Sequence, residues 1–220
     1  MEHGVQFSPD GKTLVYASER TGRWSIWQAT RTRAADRHFY AATAITETPL
    51  IDNDNQNFQP QFSPDGKEIA FVENYRTLRV MNLASKESRT LANEGHIWGT
   101  GPGLHYTWSP DSKWILFNMS VPGLAPGEVG LVNVSGRDSV INLTRSGFSD
   151  FAPRWVLGGA AMIWRSNRDG LRNLAEAGGG QSDIYAMYFT QEAWDRSRLT
   201  KEELALVKEA EEEAAKAKGE

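Results

Sequence analysis

Near its start the chain carries Phe7-Ser-Pro-Asp-Gly-Lys12, and it repeats the phrase as Phe62-Ser-Pro-Asp-Gly-Lys67 and Trp108-Ser-Pro-Asp-Ser-Lys113. A degenerate fourth copy, Trp155-Val-Leu-Gly-Gly-Ala160, keeps the aromatic residue and two glycines. The aromatic anchors at 7, 62, 108 and 155 are 55, 46 and 47 residues apart. A period of this size marks one supersecondary unit, repeated and stable only when stacked on its neighbours. The phrase itself is a turn. Proline (Pro9, Pro64, Pro110) brings a fixed φ to the second turn position. Aspartate (Asp10, Asp65, Asp111) can bond back to the backbone, and glycine (Gly11, Gly66) suits the exit.

An apolar run follows each turn: Thr13-Leu-Val-Tyr-Ala17, Glu68-Ile-Ala-Phe-Val72, Trp114-Ile-Leu-Phe-Asn118 and Ala161-Met-Ile-Trp-Arg165. The turn therefore joins two strands of an antiparallel hairpin. These second strands are apolar at consecutive positions, which predicts burial on both faces, as between stacked sheets. Third strands are expected at Trp24–Trp27, Leu78–Leu83, Val129–Val134 and Asp183–Phe189. A weaker fourth segment follows in three repeats, for example Ser88-Arg-Thr-Leu91 and Val140-Ile-Asn-Leu-Thr144. Four short antiparallel strands per ~45 residues describe a β-propeller blade, so the expected fold class is all-β. The competing reading is a β-sandwich with similar hairpins.

The 220 residues are enough for a substantial core, and eight tryptophans supply large apolar anchors. A formal net charge of -4 with scattered basic residues gives no electrostatic footprint for nucleic acid. Absence of cysteine excludes disulfide and thiolate chemistry but leaves the compartment open. The opening Met1-Glu-His-Gly-Val-Gln6 has neither the basic nor the apolar region of a signal peptide, and no apolar run approaches a membrane span. The sequence reads as that of a soluble chain, and a start so close to the first repeat suggests a piece of something longer.

The extra length of the first repeat lies between Thr30 and Gln59, with a basic stretch (Arg31, Arg33, Arg37) and the run Asp52-Asn-Asp-Asn-Gln-Asn57. That run opens like a calcium loop, but Asn57 stands where glycine is needed and Ser63 where the bidentate glutamate belongs. A capped turn between units is the better reading. From Gln191 the pattern becomes helical, and Thr200-Lys-Glu-Glu203 is a capping box opening a helix to about Lys218. The expected organisation is repeats over 1–189 and a charged helical linker over 190–220.

No Gly-x-Ser-x-Gly elbow occurs, and His3, His38, His96 and His105 have no metal-ligand spacing. Gly99-Thr-Gly-Pro-Gly103 lacks the spacing of a dinucleotide-binding turn. No residue set reads as catalytic, and no cofactor or metal is implied. One candidate site is retained, the segment Gly95-His-Ile-Trp-Gly-Thr-Gly-Pro-Gly-Leu-His105 just ahead of an anchor strand. His96, Trp98, His105 and the adjoining Tyr106 could touch a peptide at the rim of a propeller channel. A loop packed beneath its own tryptophan is the plainer alternative.

The anchors Phe7–Lys12 and Phe62–Lys67 resemble the TolB-like propeller repeat. Leu14-Val-Tyr-Ala-Ser-Glu-Arg20, Asn57-Phe-Gln-Pro60, Ile141-Asn-Leu-Thr144, Ser146-Gly-Phe-Ser-Asp150, Ser166-Asn-Arg-Asp-Gly170 and Asp183-Ile-Tyr-Ala-Met187 resemble the amino-terminal propeller of tricorn-type bacterial serine peptidases. Gln191-Glu-Ala-Trp-Asp195 resembles the linker that leaves it. The resemblance implies four blades of a six-bladed propeller, in a parent with a second propeller, a PDZ domain and a catalytic domain related to C-terminal processing peptidases. The implied role is to admit and guide unfolded peptide, without catalytic residues of its own. The implied partners are unfolded peptides and the parent's other domains, and the parent is exported or cytoplasmic. Two other readings stay open: a free-standing TolB-like protein-binding scaffold, and the propeller of a prolyl-oligopeptidase-like hydrolase. Four stacked units leave apolar end faces unless they close as a ring or pair between molecules as a homo-oligomer.

Overall fold

A computed structural model describes residues 1–33, 35–98, 103–123, 127–170 and 180–218. They form four antiparallel sheets in chain order, followed by two helices. The first sheet holds β1 (Glu2–Phe7), β2 (Thr13–Ser18), β3 (Ser25–Arg31) and β4 (Ile45–Ile51). The second holds β5 (Asn57–Phe62), β6 (Glu68–Glu73), β7 (Thr77–Asn82) and β8 (Ser88–Ala92). The third holds β9 (Tyr106–Trp108), β10 (Trp114–Met119), β11 (Glu128–Asn133) and β12 (Ile141–Asn142). The last has three strands, β13 (Asp150–Val156), β14 (Ala161–Ser166) and β15 (Asp183–Tyr188). The long first repeat is thus explained: β4 and a short 3₁₀ turn, Phe39–Ala41, lie inside it.

Each anchor phrase folds as a turn locked by its own side chains. In the first copy the Ser8 hydroxyl donates to Asp10 at 2.7 Å and accepts from the Thr13 amide at 2.9 Å, while Asp10 accepts from the Lys12 amide at 3.1 Å. Ser63–Asp65 and Ser109–Asp111 repeat the arrangement. Bonds from the serine hydroxyls hold the Asp10 and Asp111 carboxyls below their ordinary range. The exit residue is left-handed in all three: Gly11 at φ 68°, Gly66 at 72° and Ser112 at 61°. The first two are glycine as the geometry asks; Ser112 is not. Its hydroxyl instead accepts the Asp65 amide of the preceding turn at 3.1 Å. Neighbouring turns touch elsewhere too, since a Cβ at Gly66 or Gly159 would meet the ring of Pro9 or Pro110 at 3.5 and 3.2 Å.

The core lies between sheets. Ile26 and Ile51 of the first sheet meet Phe71 and Met81 of the second. Phe58, Val72, Leu78 and Val80 of the second meet Tyr106, Trp108, Ile115 and Phe117 of the third. Leu116 and Val129 of the third meet Met162 and Trp164 of the last. Strands β6 and β10 therefore send consecutive side chains into two different layers, which is why Ile69–Val72 and Ile115–Phe117 are buried without interruption. The outermost sheets differ. All six residues of β1 are exposed, Phe7 at 56%, and Ile184 of β15 is exposed at 72%.

After β15, α1 (Gln191–Ser197) and α2 (Lys201–Lys218) turn back over the outer face of the last sheet, where Ile163, Ala186 and Tyr188 line one cleft with Ala193 and Leu204. Thr200 and Glu203 form the reciprocal capping box, with bonds of 2.8 and 3.2 Å. Trp194 meets Tyr188 edge-on at 5.3 Å, and Ala193 is buried. Among the described residues no helix is long and apolar enough to cross a membrane.

Ser112 offers a direct test of the turn row. Replacing it with alanine removes the bond to Asp65 and keeps the left-handed strain, so stability should fall by about 0.5–1.5 kcal/mol. Glycine loses the same bond but relieves strain worth about 1 kcal/mol, so S112G should unfold at higher denaturant than S112A. Equal midpoints for the two variants would contradict this account of the turn.

Candidate functional site

In every sheet the first strand starts at the end where the second and third strands connect, and the link from a fourth strand to the next sheet arrives at the same end. The segment leading into β9 lies there. It is strapped to the loop after β10, because the Ser120 amide donates to the His96 carbonyl at 2.8 Å and the Trp98 amide to the Ser120 hydroxyl at 3.2 Å. The His96 and Ile97 amides both donate to the Asn93 carbonyl, at 2.8 and 2.9 Å. Between two partly or fully open neighbours Ile97 is 2% exposed, seated in the layer between the second and third sheets. Trp98 next to it stands 77% exposed. Residues 99–102 of the glycine-rich segment lie outside the described residues.

His105 and Tyr106 are positioned differently. The Tyr106 side chain is buried and reaches back to the second sheet, donating to the Gln59 carbonyl and lying 3.1 Å from the Ala70 carbonyl. Burial pushes its phenol well above the ordinary tyrosine value. His105 reaches the other way, its Nε2 2.9 Å from the Pro153 carbonyl of β13. One dipeptide thus ties β9 to the first strands on both sides. Of the four candidate residues, Trp98 is openly presented to solvent, His96 is half-buried beside it, and His105 and Tyr106 are engaged with neighbouring strands.

Three features of this end do not follow from the anchor phrases. The first is a bulge in β1, β5 and β13, where the register slips and Gly4, Gln59 and Ala152 take φ of 64°, 51° and 53°. Each lies three residues before its aromatic anchor. The bulges are spent on neighbours: Gln59 offers its carbonyl to Tyr106, the Ala152 amide donates to Asn118 at 2.9 Å, and a Cβ at Gly4 would meet Gln59 at 3.4 Å. The only sequence signal is spacing, because just one of the three is glycine.

The second feature is an aromatic row. Ring centroids run from His3 to Trp24 at 5.3 Å, on to Phe58 at 5.6 Å, and then to Tyr75 at 4.4 Å. A shallow cleft of about 710 Å³ opens beside it, lined by Glu19, Arg23, Trp24, Gln56 and Tyr75. Arg23 faces Asp52 at 3.6 Å and Asp54 at 3.4 Å. Asp52 also accepts from Ser25 at 2.7 Å, and Asn53 from the Asn55 amide at 3.0 Å, so the Asp/Asn run caps the turn between sheets. Among the described residues no three His, Asp or Glu side chains converge as a metal site.

The third feature pairs Ser18-Glu-Arg-Thr-Gly22 with Ser166-Asn-Arg-Asp-Gly170. In each, the arginine returns to the acid that opens the first strand: Arg20 to Glu2 at 2.7 Å, Arg168 to Asp150 at 3.4 Å. Burial works to raise the Asp150 carboxyl, but bonds from Ser146, Ser166 and Trp164, with the Arg168 charge, leave it below its ordinary value. These clasps fix where each first strand begins.

Tyr106→Phe should lower unfolding stability by about 1–3 kcal/mol, because it removes the donor of a buried clasp. Denaturant titration with an unchanged midpoint would show that the hydroxyl does not hold β9 to the second sheet.

No family model matches the sequence, and no curated protein matches it. Solved structures do. TolB from Acinetobacter baumannii aligns over 86% of this chain with 19% identity and a TM-score of 0.57. A putative TolB from Agrobacterium tumefaciens aligns over 84% with 22% identity and a TM-score of 0.55. The tricorn protease aligns over 84% with 11% identity and a TM-score of 0.59. The chain spans 41%, 65% and 17% of those proteins respectively. At such identities the likeness concerns the fold. The four stacked antiparallel sheets are similar to those of TolB-like β-propeller proteins and of tricorn protease propeller domains.

Proposed function

We propose that this chain is a noncatalytic propeller segment of a larger tricorn-like serine peptidase, guiding unfolded peptide toward a catalytic domain carried elsewhere in the parent. On this reading residues 1–189 supply four blades of a six-bladed ring and residues 190–220 the helical linker. The observation that carries it is the uncovered face of the first sheet: all six residues of β1 are exposed, Val5 and Phe7 among them, where the inner sheets have neighbours. Further blades of a parent propeller are the simplest cover for such a face. The peptide contact is assigned to Trp98, with His96 beside it, while His105 and Tyr106 hold the strand that presents them. An exposed aromatic on a strapped loop suits contact with many sequences, since it offers area and a polar edge without a fixed pattern of charges.

Reduced, carboxymethylated casein with a fluorescent label provides the test. Binding should weaken about threefold to tenfold in Trp98→Ala, a loss of roughly 1 kcal/mol, while the unfolding midpoint stays unchanged. Binding that is indifferent to Trp98 would remove this loop from the peptide path. Casein hydrolysis by the pure chain, blocked by a serine-directed reagent, would overturn the noncatalytic assignment.

A further inference from the structure

The last sheet differs from the other three in its outer edge. In the first three sheets a fourth antiparallel strand covers the third; in the last, β15 is outermost among the described residues. Its pairing with β14 is regular over all six residues, from Ala161 opposite Tyr188 to Ser166 opposite Asp183. Phe189 donates its amide to the Ala160 carbonyl at 2.8 Å. Alternation along an antiparallel strand then turns Asp183, Tyr185 and Met187 toward β14. The N–H and C=O groups of Ile184, Ala186 and Tyr188 point outward, and among the described residues none of them has a backbone partner.

Open edges are ordinarily blunted by proline, basic side chains, bulges or shortness. The outer strands of the other sheets carry such devices. Strand β4 has Pro49 and a register slip, β8 has Arg89 and a slip, and β12 is two residues long. Strand β15, Asp-Ile-Tyr-Ala-Met-Tyr, has no proline, no basic residue and no slip. It is also rich in residues that favour extended backbone.

We propose that the outer edge of β15 is a binding site for an extended polypeptide strand, which adds antiparallel as the missing fourth strand of the last sheet. The three sister sheets fix the geometry of the occupant. Main-chain bonds to Ile184, Ala186 and Tyr188 supply affinity, and alternate side chains supply selectivity. On the inner face the added strand runs beside Tyr185 and Met187, which pack on the layer around Trp164. On the outer face it runs beside Ile184, which is open to solvent. Both faces favour uncharged β-branched or aromatic residues, with a basic residue suited to the end beside Asp183. This site is independent of the Trp98 loop and of the identity of any parent protein.

The probe is a capped, fluorescein-labelled peptide, Lys-Thr-Val-Thr-Ile-Thr-Lys, added to the full chain. Amide exchange at Ile184, Ala186 and Tyr188 should slow by about tenfold or more at saturating peptide, while the amides already bonded to β14 change little. An analogue N-methylated at alternate residues, unable to donate along one edge, should bind at least about tenfold more weakly. Ala186→Pro removes an outward amide without touching the ladder to β14 and should cause a similar loss. If that variant does not fold, exchange in the unaltered chain still decides. Unchanged exchange at the three amides, or equal binding of the methylated peptide, would overturn the proposal. Protection that grows with protein concentration and without peptide would also overturn it, making a second copy the occupant.

Discussion

Everything in this chain depends on burial between sheets. A four-stranded sheet of about six-residue strands cannot shield both its faces, and here the apolar residues are placed as if a neighbour were always present. The second strands show the constraint most directly: Phe71 faces the first sheet while Ala70 and Val72 face the third. Loss of either neighbouring sheet would return one set of these side chains to water, at about 25 cal/mol for each Å² exposed. The stack is therefore a chain of mutual dependence, with stability concentrated in its middle.

Two rows of polar contacts keep the layers in register. At one end the Ser–Asp turns interlock, through Ser112 on Asp65 and through Pro9 and Pro110 resting on glycines of the following turns. At the other end three of the first strands are bulged, and the bulges expose carbonyls and amides that Tyr106 and Asn118 meet from adjacent layers. The bulge is what lets a first strand bond sideways to another sheet while still pairing with its own second strand. The same end holds Trp98 on its strapped loop, so the contacts that align the stack also set the pose of this exposed aromatic residue.

Much of this was legible in the sequence, for a physical reason. Turn chemistry is local, so Ser-Pro-Asp-Gly and the apolar run behind it specify a hairpin without knowledge of distant residues. Consecutive apolar residues likewise announced two buried faces. The first strand was harder to read, because its left-handed residue is Gly4 once, then Gln59 and Ala152, and the tertiary clasp rather than the residue type enforces the geometry. The candidate loop was legible as a place but not as a division of labour. Nothing in His-Tyr at 105 and 106 says that one side chain reaches back to the second sheet and the other forward to the last. The paired arginine clasps were visible as similar words, but their acidic partners lie 18 residues upstream and share no motif.

Native-state amide exchange measures the central claim directly. If stability is concentrated where sheets are covered on both faces, the amides of β6 and β10 should share the slowest exchange, close to that of global unfolding, and those of β1, β4 and β15 should exchange faster. The reverse order, or uniform protection from the first strand to the last, would contradict an open stack held together by its inner layers.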